Sequence, residues 1–182
     1  MGFLKENVEK NWFQRNISGY KTGMRIVFGL VWLLDAYLKW QPDFFSGFET
    51  MLQGAVSGQP AWILPWFNFW ISVTSTDPYA FALFIALVET LLALAIIFGF
   101  MRKVTYLLGA AFSFFLWSIP EGFGGFYLPG STDIGTSVIY VLVFLFLILV
   151  NGAFGPSRYS LDFYIEKKFK AWKRIAEISW KG

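Results

Sequence analysis

Tyr79-Ala-Phe-Ala-Leu-Phe-Ile-Ala-Leu-Val-Glu89-Thr-Leu-Leu-Ala-Leu-Ala-Ile-Ile-Phe-Gly-Phe100 is a run of twenty-two residues interrupted only by Glu89 and Thr90. A helix rises about 1.5 Å per residue, so this run matches a hydrocarbon core of about 30 Å. It reads as a membrane span with one carboxylate near the midplane. A charge at that depth costs about 2.5–3.5 kcal/mol on insertion scales. Glu89 therefore needs a partner, a proton or a ligand, and that need shapes the functional reading.

The composition agrees with the span. Of the 182 residues, 56% are hydrophobic and 21% aromatic, while 15% are charged against about 25% in soluble domains. Mean hydropathy is +0.52. The reading is a single membrane domain over residues 1–182, all-α, with no cleavable signal peptide. The chain has neither Cys nor His. Disulfides, Fe–S clusters, Cys-ligated zinc and His-ligated haem or copper are excluded for want of ligands, and no metal site is expected.

Four spans are predicted, at 22–40, 79–100, 104–119 and 134–152, in a bundle. Leu4, Val8, Trp12, Phe13 and Ile17 recur at helical spacing, predicting an interfacial helix over 4–17. Between the first two spans lies an aromatic connection, 43–74. Asp43 starts a helical turn in it, and Trp62, Trp66 and Trp70 repeat every four residues. Trp favours the membrane–water interface, so this connection reads as an interfacial lid. Asp77-Pro78 is a cap-then-proline start for the second span. Gly109, Ala110 and Ala111 offer the third span a small face for close helix contact. A loop from Pro120 to Asp133 holds four glycines and two prolines, and its backbone N–H groups are available to a ligand. Asp133 can cap the fourth span.

The tail over 160–179 reads as one amphipathic helix, with Leu161, Ile165, Phe169, Trp172 and Ala176 on its apolar face. Its lysines suit anionic lipid headgroups, at about 1 kcal/mol per cation, rather than nucleic acid. Fourteen of the fifteen basic residues fall in the N-terminal arm through Arg25, the turn at Arg102-Lys103 and the segment after Val150; Lys39 is the exception. The positive-inside rule makes that side, with both termini, cytoplasmic. The Trp-rich lid and the Gly-rich loop then share the opposite face.

Helix bundles build sites from inward-facing side chains of neighbouring helices. Asp35, Lys39 and Glu89 are the candidate catalytic residues. Asp35 and Lys39, four apart, pair on one helical face. Glu121, Gly124, Gly125 and Asp133 are the candidate substrate- or quinone-binding residues, and Tyr37, Tyr127 and Tyr140 are candidate phenolic partners. Such a cluster suits anion binding, proton relay or the orientation of a quinone headgroup. The competing reading of the same acids is structural, as helix caps and interhelical hydrogen bonds.

Arg25-Ile-Val-Phe-Gly-Leu-Val-Trp-Leu-Leu-Asp35-Ala-Tyr-Leu-Lys39 resembles the first helix of DoxX/DoxD-like membrane proteins. The Glu89 span, ending Phe98-Gly-Phe-Met-Arg102-Lys103, resembles their second. The run Gly122-Phe-Gly-Gly125, followed by Pro129-Gly-Ser-Thr-Asp-Ile-Gly135, resembles the DoxD branch. The likeness covers residues 22–165. It implies a four-helix membrane bundle in a quinone-linked respiratory complex with other membrane subunits. One branch is a subunit of thiosulfate:quinone oxidoreductase. A quinone is the implied acceptor, and a small sulfur anion such as thiosulfate the implied reductant. The alternative is a non-catalytic accessory subunit of a larger membrane complex; a small transporter is a third reading.

Overall fold

The computed structural model describes residues 12–178, and among these every regular element is helical. Four long helices alternate in direction: α1 (Trp12–Lys39), α4 (Pro78–Phe98), α5 (Arg102–Ser118) and α6 (Thr136–Phe154). α1 packs along α4 and α5 along α6, and α4–α5 and α1–α6 contacts close the ring. α4 and α6 are long and apolar enough to cross a membrane. α5 has 17 residues and opens on Arg102 and Lys103. α1 is longer but carries charge near both ends.

α1 departs from expectation at both ends. The interfacial helix predicted over 4–17 is not a separate element: residues 12–17 are the first turns of α1, and residues 1–11 lie outside the described residues. Ser18 and Gly19 do not interrupt it, because the Ser18 carbonyl accepts the Thr22 hydroxyl at 2.8 Å in ordinary helical geometry. At its other end α1 stops beside the middle of α4, where the Trp40 indole N–H donates to the Thr90 hydroxyl at 3.0 Å. α2 (Pro42–Val56) then takes over against the first half of α4. Its Phe48 and Leu52 are buried and share a cleft with Ile71, Thr74 and Pro78. The α4 flank is thus covered by two helices broken at Trp40-Gln41, where Pro42 cannot extend the α1 ladder.

The connection over 43–74, expected as a lid of short helices, is two of them, α2 and α3 (Leu64–Thr74). The link between them turns at Gly58, φ +79°. α4 begins as predicted: the Asp77 carboxylate accepts from the Ala80 N–H at 3.0 Å with Pro78 in the first turn. It ends at Gly99, φ +64°, a left-handed cap of the kind glycine tolerates. Buried positions 82, 85, 86, 89, 92, 93 and 96 mark one inward face, and Glu89 lies on it.

Close helix approach depends on missing side chains. A Cβ on Gly29 would come within 2.6 Å of Ile97 on α4, and one on Gly109 would overlap the Phe144 ring on α6. Gly109 thus fulfils its predicted role, whereas Ala111 faces outward. The core near that level is aromatic: Phe28 meets Phe144 edge-on at 5.0 Å, and Trp32 meets Tyr140 at 5.4 Å. Each such pair contributes about 0.5–1.5 kcal/mol beyond its buried area.

The tail is not the single helix predicted over 160–179. It is α7 (Leu161–Lys168), a 3₁₀ turn over Lys170–Trp172 and a short α8 (Lys173–Ala176), with Phe169 extended at φ −124°, ψ 93°. The predicted apolar face is also corrected. Leu161 and Phe169 are exposed, whereas Asp162 and Glu166 are buried. The cause is Arg102: its Nε donates to Asp162 at 2.9 Å, and its Nη2 bonds Glu166 at 3.3 Å and Glu177. A buried guanidinium outweighs the apolar preference of the tail, because leaving it unpaired would cost several kcal/mol.

Candidate functional site

The site lies where α1 gives way to α2. The break delivers Lys39, the last residue of α1, to the flank of α4. Lys39 Nζ stands 3.2 Å from Asp35 Oδ1 and 3.8 Å from Glu89 Oε1, with the Phe44 ring centroid at 5.6 Å. Asp35 and Lys39 are only partly covered, while Glu89 has 0% of its surface exposed. Neither Glu89 oxygen has a hydrogen-bond partner among the described residues. An unmet buried polar group costs about 1–3 kcal/mol, more when charged, so Glu89 is a point where the fold is not at its most stable.

Beside this trio opens a cavity of about 300 Å³. Asp35, Lys39, Glu121, Thr136, Ser137 and Tyr140 give its polar lining; Phe44, Met51, Ile85, Leu116 and Pro120 give its apolar walls. Five segments meet there: α1, α2, α4, the α5 C-terminus with its following loop, and the start of α6. Three of the seven predicted site residues, Asp35, Lys39 and Glu121, line the cavity, and Glu89 stands behind Lys39.

Glu121 is held firmly. Its carboxylate accepts from the Ser137 N–H at 3.0 Å and the Ser137 hydroxyl at 2.7 Å. It thereby answers the open N–H groups at the start of α6 and meets the positive end of the helix dipole. This corrects the cap expected of Asp133. α6 starts after Gly135, which has no capping side chain. Asp133 instead closes a local turn, accepting from the Ile134 and Gly135 N–H groups at 2.6 and 3.1 Å. It is exposed, outside the cavity. The exchange is steric: Gly135 has φ +86°, and a Cβ there would lie 2.6 Å from Glu121 Oε2, so only glycine admits the carboxylate.

Gly124 and Gly125 serve the loop's own path. Both have positive φ, 65° and 61°. A Cβ on Gly124 would strike the Ile134 backbone, and the Gly124 N–H donates to the Glu121 carbonyl at 2.8 Å. Neither glycine lines the cavity.

The two long connections meet at this end of the bundle. The Tyr127 hydroxyl donates to Gln59 Oε1 at 2.5 Å, and Gln59 Nε2 reaches the Gly122 carbonyl at 3.4 Å. Trp62 packs on Tyr127, and the Trp66 indole donates to the Ser118 carbonyl at 3.2 Å. The Trp-rich and Gly-rich segments therefore form one roof. Burial pushes the Tyr127 phenol up from its ordinary value, partly offset by the Gln59 hydrogen bond. Tyr37, the third phenolic candidate, faces outward.

No family model matches this chain, and no curated protein or solved structure is found to be similar to it. Function is therefore argued from the site.

Sequence reasoning missed Ser137, Thr136, Phe44 and Met51 as wall residues, since nothing in their spacing marks a cavity. It also missed the Arg102 cluster at the opposite end. There Asp162 caps α5 from the tail, accepting from the Met101 and Arg102 N–H groups at 2.8 and 2.9 Å and from the Trp172 indole at 2.9 Å. The signal was present: Asp162 and Glu166, four apart, share one face of a helix whose other charges are lysines.

Proposed function

We propose that the protein is a four-span membrane subunit of a quinone-linked redox complex, DoxD-like, with its termini cytoplasmic and its cavity open toward the opposite face. The carrying observation is Glu89: a fully buried carboxyl with no hydrogen-bond partner among the described residues, beside a lysine that lines a mixed polar and apolar cavity. Four crossings are supported by outward-facing large apolar side chains on every long helix. Val27, Val31 and Leu34 on α1, and Leu107, Leu108 and Phe114 on α5, accompany those on α4 and α6.

The donor set fits a quinone headgroup. Ligand pockets start at about 300 Å³, enough for a substituted ring whose chain lies in lipid. Lys39 and Tyr140 carry N–H and O–H donors for ring oxygens, and Phe44, Met51 and Leu116 offer apolar contact. A quinone held there would supply two-electron, two-proton redox chemistry. The residues of this chain hold and move protons: Glu89 is the buried carboxyl, Asp35 the one nearer solvent, and Lys39 bridges them. With no His or Cys in the sequence, electrons reach the acceptor directly from a reductant such as thiosulfate or through another subunit.

A second reading, a non-catalytic accessory subunit, is favoured by one observation. Glu121 and Gly124 are committed to internal bonds. One experiment separates the readings: the purified protein in lipid nanodiscs is offered thiosulfate and a short-chain quinone. Reduction that disappears in Glu89→Gln at unchanged melting temperature supports the redox reading. No reduction, purification only with partner subunits and an indifferent Glu89→Gln variant support the accessory one.

A further inference from the structure

The opposite end of the bundle holds another unmet buried group, and this one is a cation. Arg25 is 3% exposed. Its Nη2 donates to the Tyr159 carbonyl at 2.6 Å, while its Nε has no partner among the described residues. The fold makes deliberate room for it: a Cβ on Gly99 would overlap the Arg25 guanidinium. Arg25 also lines a small, half-open cavity of about 30 Å³ with Lys21, Thr22, Arg102, Asn151 and Ser157. Three of the lining residues are cations, and none is an acid. The nearby carboxylates are spoken for: Asp162, Glu166 and Glu177 all bond Arg102, and Asp162 also accepts from Trp172. Lys21 donates to the Phe154 and Gly155 carbonyls at the end of α6. No carboxylate lies within ion-pair distance of Arg25 among the described residues.

A buried guanidinium that bonds, among the described residues, a peptide carbonyl and no acid is short of negative charge. Planar guanidinium groups recognise oxyanions through paired N–H donors. A cavity of this size exceeds the roughly 10–15 Å³ that one water needs, so it admits the oxygens of a compact oxyanion whose remainder stays at the mouth. We propose that Arg25, whose Nε is unpartnered among the described residues, and Lys21, which has an N–H to spare beyond its two carbonyls, form an oxyanion site for a phosphate group, borne by a membrane phospholipid or free in solution. The site lies at the opposite end of the bundle from the Glu89 cavity and stands or falls independently of the redox reading.

The test uses the full chain in a neutral detergent. Native mass spectrometry compares retention of phosphatidylglycerol with that of phosphatidylcholine, and melting curves compare inorganic phosphate with chloride at matched ionic strength. A lipid source predicts selective retention of phosphatidylglycerol by wild type, about tenfold weaker in Arg25→Gln, the loss of one charge-assisted contact. A free-phosphate source predicts no lipid selectivity but a phosphate-dependent rise in melting temperature that Arg25→Gln abolishes. Should Arg25→Gln not fold, Lys21→Gln and Arg25→Lys must each weaken whichever response wild type gives. Wild type with neither response, or responses unchanged in these variants, overturns the proposal. No quinone or thiosulfate enters the assay, so its failure leaves the redox reading untouched.

Discussion

Asp162 and Glu89 are both carboxylates with no exposed surface, yet their surroundings are opposite. Asp162 accepts from two backbone N–H groups, a guanidinium and an indole, all within 3.0 Å. Glu89 accepts no hydrogen bond among the described residues, and its nearest cation is 3.8 Å away. Burial alone therefore does not distinguish a structural acid from a functional one; saturation does. An acid whose lone pairs are filled by the fold has nothing left for a ligand. An acid buried and left open lowers stability, and that open valence is what the proposed function rests on.

The comparison breaks first on stability. Asp162→Asn or Arg102→Ala removes one side of a buried charge cluster and should cost about 3–5 kcal/mol, read as lost denaturant resistance in detergent. Glu89→Gln should change the same quantity by less than about 1 kcal/mol, since no hydrogen bond is surrendered. Equal losses would put Glu89 among the structural acids and remove the basis for the cavity's function. Gly109→Ala comes next: forcing a methyl into the Phe144 ring should cost about 1–3 kcal/mol by overpacking. It probes the α5–α6 seam and should leave the acids of both ends unaffected.

Much of this was legible in the sequence. The α4 and α6 limits, the Asp77 cap, the Asp35–Lys39 pair and the inward face of Glu89 follow from hydropathy and helical spacing. The corrected cap and the corrected tail share a cause: each depends on a residue far away in the chain. The α6 cap comes from Glu121 rather than Asp133, because Gly135 makes room for a carboxylate fourteen positions earlier. The tail buries its acids because Arg102 sits sixty residues away. The break between α1 and α2 is written locally in Pro42, but that it brings Lys39 to Glu89 depends on how α1 packs against α4. Periodicity reports which face turns inward and says nothing of what waits there.

The charged end should also respond to pH. Burial, with Glu166 bonding and repelling it, pushes Glu177 up to about 7 against the pull of Arg102. Its folded value lies above the unfolded 4.5, so between these the folded state holds the extra proton. Stability then declines as pH rises from about 4.5 to about 7. Glu177→Gln should flatten the decline in melting temperature over that window; a slope that persists unchanged would assign it to another group. At the other end Glu121→Gln keeps the hydrogen bonds and loses the charge facing α6. That predicts about 0.3–1 kcal/mol of lost stability at low ionic strength, smaller in high salt.

The most local effect tests the roof over the cavity. Tyr127 and Gln59 join the Gly-rich and Trp-rich segments through one neutral hydrogen bond, and Gln59 continues to the Ala55 and Gly122 carbonyls. Tyr127→Phe keeps the ring against Trp62 and deletes only the hydroxyl, so global stability should fall by about 0.5–1.5 kcal/mol. The informative readout is local. A roof held by neutral bonds opens without unfolding the bundle, so amide hydrogen exchange across 57–63 and 122–128 should quicken while α7 and the Arg102 cluster keep their protection. Salt should leave the difference unchanged, since no charge is involved. Quickening spread evenly over both ends would mean the bundle opens as one unit, and the cavity end would lose its claim to move independently of the saturated one.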